Sequence, residues 1–260
     1  MIAPNPPSTT FTCKLKRQDG PDQPPYWEEF EIPLDAVQNI ISVLQYIAAH
    51  PVTKDGKQTK EPVWEAGCLE EVCGSCTMNV NGRVRQSCSA LVNEFIKDGN
   101  DVLVLEPMTK FPVVRDLFVD RQRMFDALVK IKGWVPIDGT YDLGPGPEES
   151  PEQQEERYAL SRCMTCGCCL EACPQFQKDN DFIGPQAIGQ ALYFNEHETG
   201  KALKEERLEA LMGPGGITDC GNAQNCVKVC PKEVPLTLAI GKIGRQTTVH
   251  AIKNFFTGKK

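Results

Sequence analysis

Apolar and polar positions divide the chain into two regimes. Over the first hundred or so residues the pattern is short and strand-like. Phe11 to Leu15 and Phe30 to Leu34 show partial apolar alternation, and the Pro-rich stretch Pro21 to Pro25 between them predicts a hairpin. Asn81-Gly82 separates Thr77–Val80 from Arg83–Gln86, a strong two-residue hairpin signal. Asp101 to Leu105 reads as a buried strand. Ile40, Val43, Leu44 and Ile47 instead follow helical spacing, and Pro51 lies just past that helix. Strands around one helix, with a cysteine-rich loop after the helix, make an α+β arrangement.

Beyond this the period becomes helical. Leu117, Phe118, Arg121, Met124, Phe125, Leu128 and Ile131 form one apolar-centred stripe. Glu155 to Arg162, Pro185 to Phe194, Lys201 to Leu211 and Pro235 to Phe255 are further predicted helices, and no sheet is expected among them. Pro136 to Gln154 contains Gly139, Gly144, Pro145, Gly146, Pro147 and Pro151 with acids at Glu148, Glu149 and Glu152, and is read as a loop. The expected domains are 1–118 and 119–260.

Composition narrows the function. A chain of 260 residues suits two domains. A net charge of −7 argues against nucleic acid as a partner. No apolar run approaches the roughly 20 residues that span a bilayer. Met1 to Phe11 lacks a basic stretch followed by an apolar one, which argues against a secretory signal and for a cytoplasmic chain.

Thirteen cysteines change the picture most. They are bunched in a long chain, which points to metal binding rather than disulfides. Cys68, Cys73, Cys76 and Cys88 have the spacing C-x4-C-x2-C-x11-C, the plant-type [2Fe–2S] pattern. Gly67, Gly74 and Ser75 are small enough to let backbone N–H groups approach the sulfurs. A zinc site is the alternative, although zinc sites usually pair two short CxxC units. A Rieske centre needs two histidines. His50, His197 and His250 carry no ligand spacing and read as structural or surface residues.

Cys163, Cys166, Cys169, Cys173 and Pro174 form C-x2-C-x2-C-x3-C-P, the bacterial ferredoxin run whose last cysteine ligates a neighbouring cluster. Aligned on the Cys-Pro, a second run carries Cys220, Ala223, Cys226, Cys230 and Pro231. Cys163, Cys166, Cys169 and Cys230 then supply four thiolates to a [4Fe–4S] cluster. Cys173, Cys220 and Cys226 supply three to the other, which suits a [3Fe–4S] cluster. Cys168 and Cys13 remain over, Cys13 as a buried apolar filler.

The stretches Trp64-Glu-Ala-Gly-Cys-Leu-Glu-Glu-Val-Cys-Gly-Ser-Cys76, Arg162-Cys-Met-Thr-Cys-Gly-Cys-Cys-Leu-Glu-Ala-Cys-Pro174, Phe182-Ile-Gly-Pro185 and Asp219-Cys-Gly-Asn-Ala-Gln-Asn-Cys-Val-Lys-Val-Cys-Pro231 resemble the iron–sulfur subunit of succinate dehydrogenase and fumarate reductase. The resemblance implies a plant-type ferredoxin (β-grasp) domain followed by an all-α helical ferredoxin domain. It implies an electron-transfer subunit of a membrane-bound succinate:quinone oxidoreductase of the tricarboxylic acid cycle and respiratory chain. Electrons would pass from the FAD of a flavoprotein subunit through the three clusters to haem or quinone in a membrane anchor. The substrate site would lie on the flavoprotein, since no G-x-G-x-x-G follows a strand here. This chain would sit peripherally on the cytoplasmic face of the membrane.

Ubiquinone-linked members carry tryptophans after the first Cys-Pro and a histidine after the first cysteine of the second run. Gln177, Lys178 and Gly221 stand in those places. The Leu-Glu-Glu-Val loop and Arg85-Gln-Ser-Cys88 are more similar to menaquinone-linked bacterial enzymes with a dihaem (haem b) anchor. A fumarate reductase, or a reductase of another substrate, is the alternative assembly. A free-standing ferredoxin and a zinc scaffold are the alternatives of other classes. Glu70 and Glu71 flank the first cysteine loop, either lowering its cluster's potential or forming a solvated turn. The tail Lys253-Asn-Phe-Phe-Thr-Gly-Lys-Lys260 is either a docking element or a frayed helix end.

Overall fold

The computed structural model describes residues 10–97, 100–136 and 147–258. The chain separates into two compact units, Met1–Asp120 and Arg121–Lys260.

In the first unit, β1 (Thr10–Arg17) pairs antiparallel with β2 (Tyr26–Pro33) across the predicted hairpin. Alternate residues of β1 point inward, so Phe11, Cys13 and Leu15 enter the core and Arg17 takes the last inward position. A guanidinium there needs neutralising, and Asp116 supplies this from 99 residues away, with Nε donating to Oδ1 at 2.9 Å. Glu28 accepts from Nη1 at 2.5 Å, and the carbonyls of Lys60 and Glu61 accept as well. Burial pulls the Arg17 pKa down, but its bond to Asp116 and the charges of Asp116 and Glu28 more than offset this and raise it.

Helix α1 (Ile40–Ala49) opens with a capping box, Asn39 Oδ1 accepting from Ser42 N at 2.9 Å and Ser42 Oγ from Asn39 N at 3.0 Å. Its inner face is Ile40, Val43, Leu44 and Ile47, as expected. Strands β3 (Thr77–Val80) and β4 (Arg83–Gln86) form the second hairpin. Asn81 and Gly82 take the left-handed φ values of +48° and +75° that such a turn needs. Strand β5 (Val102–Glu106) runs parallel to β1 and antiparallel to β3, giving the sheet order β2-β1-β5-β3-β4. This sheet with its single helix is the β-grasp arrangement. Only one face of β5 is covered: Leu103 and Leu105 are buried and Val102 is exposed, where a buried strand was expected.

Leu117 and Phe118 depart from the expected helix. Asp116 turns left-handed at φ +48°, while its N–H is taken by Gln18 O and that of Leu117 by Val63 O. Leu117 therefore joins the first core, and β7 (Phe118–Val119) pairs with β6 (Val113–Arg115). Tertiary partners claimed the backbone donors that a helix would have used.

In the second unit every regular element among the described residues is helical. Helix α2 (Gln122–Lys130) buries Met124 and Ala127, but Phe125 is exposed, off the expected stripe. Helix α3 (Pro151–Ser161) begins inside the stretch read as loop. Pro151 sits in its first turn, and Ser150 and Gln153 cap each other, Oγ accepting from Gln153 N at 3.3 Å. Gly139, Gly144, Pro145 and Gly146 lie outside the described residues. Short α4 (Cys168–Glu171) is followed by α5 (Gly184–Glu196), α6 (Lys204–Met212), short α7 (Asn225–Lys228) and the long α8 (Leu236–Thr257). Helix α5 packs on α3, α4, α6 and α8. Arg207 on α6 is fully buried with no carboxylate among its hydrogen-bond partners in the described residues. It donates instead to the carbonyls of Lys132, Trp134 and Gly200 and to Asn195 Oδ1, at 2.7–3.2 Å, and burial lowers its pKa to about 10.

Candidate metal centres

The first cysteine group is built by a loop between α1 and the β3–β4 hairpin. Leu69, Glu71 and Gly74 all take left-handed φ, +61°, +58° and +75°, which turns successive N–H groups inward. Glu70, Val72 and Cys73 aim their N–H groups at Cys68 Sγ at 3.5, 3.2 and 3.3 Å. Cys68 N–H reaches Cys73 Sγ at 3.4 Å, and Glu71 N–H reaches Cys88 Sγ, beyond β4, at 3.3 Å. The loop is pinned to the hairpin through Thr77 Oγ1, which donates to Gly74 O at 2.9 Å and accepts from Gln86 Nε2 at 2.7 Å. A Cβ on Gly67 would lie 3.1 Å from Cys73 Sγ.

Thiol acidity differs within this group. The Ser75 hydroxyl and the backbone N–H groups lower the Cys73 pKa to about 6, while burial raises that of Cys76 to about 12. Glu71 accepts a 2.7 Å hydrogen bond from Ser89 Oγ, and Glu70 is exposed. Among the described residues, no three or more of the cysteines, histidines and acids are grouped as ligands of a single ion. A polynuclear cluster, each iron taking its own thiolates, does not need that convergence. Soft thiols, N–H groups aimed at sulfur and a glycine packed tightly beside Cys73 fit a compact anionic iron–sulfur core.

The second and third groups face each other in the helical unit. Cys163, Cys166, Cys168, Cys169 and Cys230 line one small cavity. Burial first, and then the charges of Cys166, Cys163 and Cys230, push Cys169 up strongly. A hydrogen bond with Cys168 and burial do the same to Cys166. Val234 N–H points at Cys230 Sγ at 3.4 Å. Cys226 is raised to about 11, by burial first and then by the charges of Cys173 and Cys220, and it adds in turn to the upward push on Cys169. Iron binding would displace these thiol protons, because the thiolate is the ligand.

The two runs are one backbone repeated 57 positions apart (220 − 163, and 230 − 173). Thr165 and Gly167 have φ of +51° and +88°, and Asn222 and Gln224 have +52° and +61°. Cys166 lies between the first pair and the exposed Ala223 between the second. Helices α4 and α7 occupy matching positions. The hydrogen bonds Ala172 N to Cys168 O and Cys173 N to Leu170 O recur as Val229 N to Asn225 O and Cys230 N to Val227 O.

Residues 12–126 match the 2Fe-2S iron-sulfur cluster binding domain family, and residues 159–234 match the 4Fe-4S dicluster domain family. The succinate dehydrogenase iron-sulfur subunit of Bacillus subtilis (strain 168) is 52% identical over 95% of this chain and 96% of its own length. The chain belongs to the succinate dehydrogenase and fumarate reductase iron–sulfur subunit family. A fumarate reductase iron-sulfur subunit of Escherichia coli is 32% identical over 90% of this chain and 89% of its own length. The structure described as the Mycobacterium smegmatis Sdh1 complex in the apo form superposes with a TM-score of 0.74 over 92% of this chain and 95% of that one. At 22% identity it speaks to the fold alone. As a succinate dehydrogenase iron–sulfur subunit, the chain pairs a [2Fe–2S]-binding β-grasp unit with a helical unit of the 4Fe-4S dicluster type.

Cys168 lines the cavity of Cys163, Cys166, Cys169 and Cys230, whereas Cys13 and the histidines do not. Cys13 is completely buried in the first core. His197 Nδ1 accepts from the N–H groups of Thr199 and Gly200, and burial lowers its pKa. His250 is buried with Nε2 against Asn254, and His50 is exposed at the end of α1. Sequence reasoning did not find the Ser75 hydroxyl, nor Gln186 and Gln190 on α5. The four-residue spacing of those glutamines on one helix face was the available signal.

Proposed function

We propose that Cys68, Cys73, Cys76 and Cys88 hold a [2Fe–2S] cluster. Cys163, Cys166, Cys169 and Cys230 hold a [4Fe–4S] cluster, and Cys173, Cys220 and Cys226 a [3Fe–4S] cluster. When bound, these groups supply one-electron transfer between a flavoprotein carrying FAD and the succinate site, and a membrane anchor with haem b that serves menaquinone. The chain's own residues fix the sulfurs, aim N–H donors at them and bury Cys166, Cys169 and Cys226 among the helical ligands. The 1–118 and 119–260 division assigns one cluster to the first domain and two to the second.

The observation that carries this reading is Ala223. It occupies the cysteine position of an otherwise repeated backbone, between two residues held in left-handed conformation. Gly221, standing where ubiquinone-linked members carry a histidine, supports the menaquinone subtype. The chain is placed peripherally on the cytoplasmic face of the membrane, and the peripheral contact is supported by α8. That helix has no acidic residue and ends in Phe255 and Phe256, 83% and 80% exposed. No described helix is long and apolar enough to cross a membrane.

Low-temperature EPR of the anaerobically purified complex tests the cluster assignment. An oxidised-state three-iron signal, a reduced [2Fe–2S] signal and broadening from a coupled four-iron cluster are expected. Two four-iron clusters without a three-iron signal would sink it. A chain lacking its last six residues is expected to be lost from the membrane fraction, and its full recovery there would remove the docking role of α8.

A further inference from the structure

Helix α5 presents Gln186 to the cavity lined by Cys163, Cys166, Cys169 and Cys230. The residue is 1% exposed, and neither Oε1 nor Nε2 has a hydrogen-bond partner among the described residues. The neighbours Ala187, Ile188, Ala191 and Leu192 are buried and apolar. An aliphatic residue at 186 would suit this buried helix at no desolvation cost, whereas a buried amide without partners is destabilising. One turn further on, the Gln190 side chain lies close enough to Cys163 to offset part of the rise that burial gives that thiol's pKa. Two amides on one face of α5 are thus directed at the same sulfur shell.

An amide N–H can only donate. The acceptors this cavity offers are thiolate sulfurs and, in the loaded protein, the sulfides they enclose. Reduction adds an electron to that shell and makes every sulfur a better acceptor. A donor fixed beside it therefore stabilises the reduced state more than the oxidised one.

We propose that Gln186 is a positioning residue that donates a hydrogen bond from Nε2 to the sulfur shell of the [4Fe–4S] cluster and raises its reduction potential. The inference rests on the assignment of Cys163, Cys166, Cys169 and Cys230 to that cluster. The stretch following Phe182-Ile-Gly-Pro185 thereby sets how readily the middle centre accepts an electron, without supplying a ligand.

The test is an EPR-monitored redox titration of the intact complex carrying Gln186→Leu, with Gln186→Met as a second donorless variant of similar length. Iron and sulfide counts and the wild-type spectra come first. A wild type without a four-iron cluster would refute the ligand assignment itself, separately from the role of Gln186. In both variants the four-iron midpoint should fall. At the wild-type midpoint the reduced-to-oxidised ratio should drop about tenfold, which is about 59 mV for one electron. The [2Fe–2S] and [3Fe–4S] midpoints should stay in place. Pulsed EPR of the reduced wild type should detect an exchangeable proton that both variants lack. An unchanged four-iron midpoint in a variant that keeps its iron would overturn the proposal, as would an equal shift of all three midpoints. If Leu loses the cluster, the Met variant decides by the same readings.

Discussion

The two cysteine runs of the helical unit share a backbone and differ in what that backbone carries. In the first, the residue between two left-handed positions is Cys166, buried beside Cys168. In the second it is Ala223, exposed. The turn conformation is kept although its ligand is gone. Fold and cysteine content are therefore separable here: the short helices and Cys-Pro ends accompany one conformation, and one side chain sets the number of thiols and, in the proposed assignment, the number of irons.

The most drastic way to break the comparison is to remove a ligand from the four-iron group. Cys169→Ala should abolish the [4Fe–4S] signal and lower the iron content by about four per chain. Iron analysis and reduced-state EPR check this, and wild-type iron in the variant would refute the assignment. Ala223→Cys attacks the comparison from the other side. It should make the runs equivalent, add about one iron per chain and remove the oxidised three-iron signal.

A smaller effect distinguishes the segments that leave the two runs. The loop after Pro174 is braced by Arg123, which donates to the carbonyls of Gln177, Asn180 and Phe182 and lies 4.0 Å over the Phe176 ring. The second run leads directly into α8. Arg123→Met should destabilise the protein by about 2–3 kcal/mol through lost hydrogen bonds and the cation–π contact. Denaturant midpoints check it, and a shift within error would show that the loop holds itself.

The finest test exchanges the turn residues. Gly167→Ala, at φ +88°, should cost about 1 kcal/mol. Gln224→Gly, at φ +61°, should gain only a few tenths, because glycine also loosens the unfolded chain. Effects of the same sign would mean that the two turns are not equivalent.

Much of the candidate site was legible without coordinates. Cluster loops are local, and local spacing carries their geometry: three thiolates must come from one tight turn, so C-x4-C-x2-C and C-x2-C-x2-C-x3-C constrain what can bind. The Asn81-Gly82 hairpin and the Ile40–Ile47 helix were legible for the same reason, since φ preference and side-chain period act over a few residues. The expectation failed at Leu117 and Phe118, where periodicity continued but Gln18 and Val63 had taken the backbone donors.

The sequence by itself determined the family, the two-unit plan, the paired runs and the missing ligand at Ala223. Only the tertiary structure decided that Arg17 meets Asp116 across 99 residues, and that Gln186 turns an unpartnered amide toward sulfur. The physical reason is range. Turn conformation and ligand spacing are settled by neighbours along the chain. Burial, charge pairing and the aim of a side chain depend on elements that become neighbours only when the chain has folded.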